Sequence, residues 1–169
     1  ATPASAPRLG YACHRAAGST MRPAGGAGTV SPAHGIKQGE TTMAWVDVVL
    51  AAVLLEYLFF IGLVGRARGR YGIQAPATSG HPVFERWLRV QGNTLELLIM
   101  FVPALWGAAR YWKPEYVAAV GAVFIAGRAM YAAGYVQAPE KRSMGFLVSF
   151  VPVVVLVLAT AIGAVRSLL

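Results

Sequence analysis

The chain has 169 residues, of which 56% are hydrophobic and only 13% charged, too apolar a balance for a water-soluble domain of this size. Its formal charge of +8 does not indicate a nucleic-acid binder, because the basic residues lie between long apolar runs; an excess of Lys and Arg in the loops of a membrane protein accounts for it. The single cysteine, Cys13, excludes an intrachain disulfide, and no set of Cys and His residues has the spacing of a zinc site.

From the N-terminus, residues Ala1 to Thr42 are rich in Ala, Gly, Pro and Ser and show no helical or strand period. They cannot bury enough apolar surface to offset chain entropy, so a disordered extension is predicted for 1–42. His14 and His34 fall in this stretch and His81 precedes Pro82 in a loop; none has the partners expected of a catalytic histidine. Met43 stands immediately before the first apolar run and is a candidate start of the protein, with a membrane domain over 43–169.

Four apolar runs follow, each of about twenty residues, the length that spans roughly 30 Å of hydrocarbon. They run from about Ala44 to Gly65, Val90 to Ala109, Pro114 to Val136 and Ser143 to Val165. A polar loop with Pro76, Gly80 and Pro82 separates the first two, and the other connections are short. Short connections make neighbours antiparallel, so the expected fold is all-α, a transmembrane four-helix up-down bundle. The first loop is read as holding Arg66, Arg68, Arg70 and Arg86, with Arg89 at its end, and the third Lys141 and Arg142, whereas the second has only Arg110 and Lys113. The bias places the first and third loops in the cytoplasm and both termini outside. Trp45, Trp106, Tyr111 and Trp112 then fall at the outer ends, where interfacial aromatics belong.

Charged groups at membrane depth cost a few kcal/mol each, so those present invite a functional question. Counting along the helices puts Glu56, Glu96 and Arg128 roughly 10 to 14 Å from the cytoplasmic ends, a shared depth that permits pairing. Arg89, Asn93 and Glu96, spaced four then three, share one helix face, with Gln91 pointing elsewhere; Arg128, Tyr131 and Tyr135, spaced three then four, make a second polar stripe. The bland alternative is a buried Glu96–Arg128 pair that fixes register, with the tyrosines as interfacial anchors. Facing each other under the arginine-rich first loop, the two stripes would form a pocket with many donors and few acceptors, suited to an anion.

The stretch FERWLRVQGNTLE from Phe84 to Glu96, with RAMYAAGYVQAPEKRSMGF from Arg128 to Phe146, resembles the two sequence blocks of the MAPEG family, membrane-associated proteins in eicosanoid and glutathione metabolism. The similarity covers about Trp45 to Leu169. It implies a homotrimer of four-helix subunits with glutathione bound between neighbours near the cytoplasmic face. By this resemblance Arg89, Asn93, Glu96, Tyr131 and Tyr135 match glutathione contacts, and Gln91 matches one reached from the adjacent subunit. Arg66 or Arg68 falls near a first-loop contact, and Arg128, which opens the second block on the same stripe as the tyrosines, is counted among the glutathione-binding residues. Arg142 matches the arginine that stabilises the glutathione thiolate: a thiol of pKa near 8.5 is mostly protonated at neutral pH, and a fixed guanidinium beside it raises the nucleophilic fraction. Leu97 departs from the family pattern, standing where a tyrosine contact is expected, and Pro103 lies further along its helix, which should move any kink outward.

The resemblance therefore implies a membrane-bound glutathione transferase, or a glutathione-dependent peroxidase, acting in detoxification on lipophilic electrophiles or lipid hydroperoxides. Its partners would be the lipid bilayer, glutathione as co-substrate and a lipophilic acceptor, with no metal and no nucleic acid. The alternative is a non-catalytic lipid-binding or scaffold protein of the same family.

Overall fold

The computed structural model describes the backbone of residues 33–169 and the side chains of residues 43–169. Four long helices account for most of this length: α1 (Ala33–Tyr71), α2 (Pro82–Ala109), α3 (Pro114–Gln137) and α4 (Arg142–Arg166), with a single 3-10 turn over Pro139–Lys141. All four are long and apolar enough to cross a membrane.

The helix ends follow local chemistry. α1 stops at Gly72, whose φ of 64° lets the chain turn and the Ile73 amide bond back to the Arg68 carbonyl at 3.1 Å, a glycine cap of the Schellman kind. α2 starts at Pro82, which has no amide hydrogen to leave unpaired, and His81 caps it by accepting the Val83 amide on Nδ1 at 3.2 Å. The His81 ring also stacks on Tyr71 with centroids 3.5 Å apart, so the histidine ties the two ends of the loop together. Pro114 opens α3 in the same manner, and Pro139 lies just beyond its end.

The segment predicted to be disordered lies outside the described residues as far as residue 32, and α1 takes in residues 33–42. Pro32 is the last proline before the span, and a helix already nucleated propagates cheaply through residues that keep their amide hydrogens. The first loop is also shorter than expected, covering residues 72–81. Arg66, Arg68 and Arg70 ride on the last turns of α1, and Arg86 and Arg89 on the first turns of α2. Arginine is a good helix former, and its long side chain lets a helix continue past the hydrocarbon while the charge stays in the polar layer.

α3 packs most extensively on α4; α1 touches α2 and α3 but not α4, so α1 and α4 sit on opposite sides of the bundle. Between them lies a core that includes Val49, Val53, Leu97, Phe101, Leu105, Phe124 and Leu156, with Phe101 and Phe124 stacked at 4.0 Å. The end of the bundle bearing Trp112 is closed by side chains that bond across helices: the Trp112 indole donates to the Ala159 carbonyl at 2.9 Å and the Thr160 hydroxyl to the Ala104 carbonyl at 3.0 Å. The opposite end, where the arginines cluster, carries the polar cleft.

Candidate functional site

At the arginine-rich end, α2, α3 and the start of α4 enclose a cleft of about 740 Å³ lined by Arg89, Asn93, Tyr131, Tyr135, Arg142, Ser143, Phe146 and Leu147. Arg89 and Asn93 come from successive turns of α2, and Tyr131 and Tyr135 from successive turns of α3. The two tyrosine rings stack nearly parallel, 5.6 Å between centroids. The Arg142 guanidinium lies 5.8 Å from the Tyr135 ring centroid, and that of Arg128 lies 4.3 Å from the Tyr131 centroid. A column of cation, phenol, phenol and cation results, with attraction between each guanidinium and its ring face.

Three contacts hold this geometry. Arg86, one turn into α2, donates to the carbonyls of Val136 and Gln137 at 2.9 and 3.4 Å, anchoring the C-terminal end of α3, where a cation is favoured. Gly145 lets α4 lie directly on α3: a Cβ there would sit 2.5 Å from the Tyr131 Cα. Gly127 does the same from the other helix, where a Cβ would be 2.5 Å from the Ser149 amide nitrogen. Small residues at such crossings let helix backbones approach, and here the approach brings Arg142 beside the tyrosines. The cleft lining carries two guanidiniums, two phenols, an amide and a hydroxyl, and no carboxylate. It can receive an anion with donors already in place.

Arg89, Asn93, Tyr131, Tyr135 and Arg142 are thus brought together as expected, and the rest of the predicted set is distributed otherwise. Arg128 does not line the cleft. It is fully buried, with Nη2 donating to the Thr94 hydroxyl at 2.7 Å and Nη1 to the Asn93 carbonyl oxygen at 3.2 Å and the Ser149 hydroxyl at 3.3 Å. The direct Glu96–Arg128 pair is replaced by a relay, because the Asn93 amide also donates to Glu96 Oε2 at 3.3 Å. Glu96 is exposed and lines an adjoining recess of about 390 Å³ with Thr78, Ser79, Glu85, Leu88, Arg89, Gly92 and Asn93.

Gln91 points toward α1, where its amide donates to the Tyr57 hydroxyl at 3.3 Å. The first-loop arginines do not cap the cleft within one chain. Arg66 lines a separate hollow with Arg70, Tyr71 and Trp87, and Arg68 covers the Phe84 ring at 4.7 Å. Leu97 is buried in the core and offers nothing to the cleft.

Ser143, Phe146 and Leu147 escaped the sequence reading, although Phe146 sits four residues after Arg142 and Leu147 four after Ser143, two adjoining rows on the first turns of α4. Thr94 and Ser149 were also missed. Lone hydroxyls in apolar runs were the available signal for both, since a buried guanidinium needs acceptors.

Comparison with known proteins agrees with this architecture. A sequence model of the MAPEG family matches residues 46–162. An uncharacterized protein of Synechocystis is 45% identical over 130 residues, covering 77% of this chain and 92% of the relative. Human microsomal glutathione S-transferase 2 is 37% identical over 131 residues, 75% of this chain and 89% of that protein, and bovine leukotriene C4 synthase is 30% identical over 123 residues, 73% and 81% respectively. The chain is a multi-pass membrane protein, with four membrane-length helices among the described residues, and belongs to the MAPEG family.

Proposed function

We propose that the chain is a membrane-bound glutathione transferase that activates the glutathione thiol for attack on lipophilic electrophiles, with lipid hydroperoxides as a second class of acceptor. The observation that carries this reading is the single cleft that gathers Arg89, Asn93, Tyr131, Tyr135 and Arg142. Arg89 and Asn93 supply donors for a carboxylate of the tripeptide, the tyrosines supply hydroxyls and a flat wall, and Arg142, over the Tyr135 ring, is the group beside the sulfur. A guanidinium there stabilises the thiolate, and the thiolate is the nucleophile. In a transfer reaction the thiol proton leaves to solvent, the sulfur lone pair forms the new bond to the acceptor's electrophilic carbon, and the electron pair of the bond broken at that carbon goes to the leaving group or, on addition, to an atom of the acceptor that then takes up a proton. With a lipid hydroperoxide, two glutathione molecules supply the two electrons and give the disulfide, the alcohol and water.

A groove of about 450 Å³ between α3 and α4, lined only by apolar side chains such as Val120, Val123, Leu147 and Val151, supports a lipophilic acceptor. Leu147 belongs to both the groove and the polar cleft, so an apolar molecule seated in the groove has its end at the thiolate. Human microsomal glutathione S-transferase 2 and the leukotriene C4 synthases among the relatives support glutathione as co-substrate. We place the arginine-rich end in the cytoplasm and take the working unit as a homotrimer, in which Gln91 and Arg66 or Arg68 of one subunit complete the cleft of the next. The exposed Glu96 beside the exposed Leu95 and Ile99 favours this, because a carboxylate at membrane depth is costly against lipid and acceptable against a second polar surface.

The test is the ultraviolet thiolate absorbance on adding glutathione to purified protein at neutral pH, alongside Arg142→Ala. A signal in the wild type that disappears in the variant supports the reading. No signal in either, with folding confirmed, would favour the non-catalytic lipid binder.

A further inference from the structure

Arg128 stands out among groups the proposed reaction does not touch: a guanidinium with no exposed surface, inside a membrane domain, whose three hydrogen-bond partners are all neutral. Burying a charge in this way is costly, which raises the question of what the contact accomplishes.

The partners differ in how much they depend on Arg128. The Thr94 hydroxyl gives its own proton to the Val90 carbonyl at 2.6 Å, and the Ser149 hydroxyl reaches the carbonyls of Gly145 and Phe146, both at 3.0 Å. Both would keep that bond without the arginine. Asn93 is the exception. Among the described residues the hydrogen bond to its carbonyl oxygen comes from Arg128, and a guanidinium can only donate, so the oxygen must face inward. The amide nitrogen is then forced to the other side, where it donates to Glu96, and Asn93 is a residue common to the linings of the cleft and the adjoining recess. Hydrogen bonding of the oxygen to a cation also polarises the amide and strengthens its N–H groups as donors.

We propose that Arg128 is a positioning residue that acts on glutathione through Asn93: it holds the amide oxygen inward, so that Asn93 presents N–H donors and never its oxygen to the anionic tripeptide. This rests on the functional reading above. The alternative orientation would put a carbonyl oxygen among groups arranged for a carboxylate and weaken binding. Because Arg142 lies on a different helix and is untouched, the loss belongs to binding rather than to thiolate formation.

A double-mutant cycle on equilibrium glutathione binding, run on the full chain in detergent, tests this. R128M and N93A are each expected to raise the Kd roughly tenfold, the scale of one hydrogen bond to a charged ligand. R128M in the N93A background should add little, since residues acting through one contact are not additive. R128K, which keeps a donor, should recover most of the affinity, and R128M should retain its thiolate absorbance at saturating glutathione. N93D keeps an acceptor for Arg128 but has no N–H to offer, and should bind as poorly as R128M; this arm stands even if R128M does not accumulate as folded protein. Additive losses in the cycle, or N93D binding as the wild type does, would overturn the proposal. Failure of the wild type itself to bind glutathione would instead remove the functional reading and this inference with it.

Discussion

At the scale of single residues, the proposed reaction assigns binding and chemistry to different groups of the cleft. Arg142 is exposed at the start of α4 and reaches the Tyr135 ring face, so its loss should leave the fold intact. Arg142→Ala is expected to lower turnover about a hundredfold, the usual cost of deleting one electrostatic stabiliser, while the glutathione Kd moves far less; steady-state kinetics beside equilibrium binding would show the split. Thr94→Val removes the closest acceptor of the buried Arg128 and should destabilise the protein by about 1–3 kcal/mol, the penalty for a buried polar group left unmatched, read as a lower midpoint of thermal unfolding in detergent. Residues of the cleft were legible in the sequence where helical spacing aligns them, as with Arg89 and Asn93 or Tyr131 and Tyr135. The role of Arg128 was not. Spacing puts it on the tyrosine stripe, but whether it faces the cleft or the interior depends on Thr94 and Ser149, acceptors on two other helices that periodicity cannot register.

At the scale of elements, the cleft is an outcome of how closely α3 and α4 approach. A side chain at Gly145 meets the α3 backbone, and backbone cannot swing aside. Gly145→Val should therefore destabilise by about 1–3 kcal/mol, as overpacking does, and should weaken glutathione binding although residue 145 does not line the cleft; binding isotherms together with thermal unfolding would test both. Arg86→Ala frees the last carbonyls of α3, and faster amide hydrogen exchange over residues 134–138 is the expected outcome. The four elements were readable as apolar runs because lipid sets a minimum span. Their ends were not, since a charged turn of helix and a charged loop look alike in sequence. The extension of α1 to Tyr71 and the early start of α2 at Pro82 are decided by the Gly72 cap and the proline, local signals that a count of hydrophobic residues passes over.

At the scale of the whole molecule, binding and stability are linked. A tripeptide that binds only the folded protein should raise its stability by about 2.7 kcal/mol at a hundredfold excess over Kd, so a glutathione-dependent rise in the thermal midpoint is expected and should shrink in R89A. The described part of α1 from Met43 has 29 residues, about 43 Å of helix against roughly 30 Å of hydrocarbon. Arg66, Arg68 and Arg70 lie in its last turns, at the end of the bundle that carries the mouth of the cleft, and long basic side chains favour the polar layer over acyl chains. Leu147 is the wall shared by that mouth and the apolar groove below it, and one side chain thus marks a frontier between two solvents. In the proposed reaction an oily molecule comes up to this frontier from the bilayer and is joined to a charged one waiting on the aqueous side. The conjugate no longer belongs to the phase its larger half came from. Every methylene left in lipid still holds it by about 0.8 kcal/mol, while the charges draw the other way, so short-chained products depart into water and long-chained ones linger. Chain length of the acceptor, more than reactivity of its electrophilic carbon, would then govern how soon the cleft is free for the next turnover.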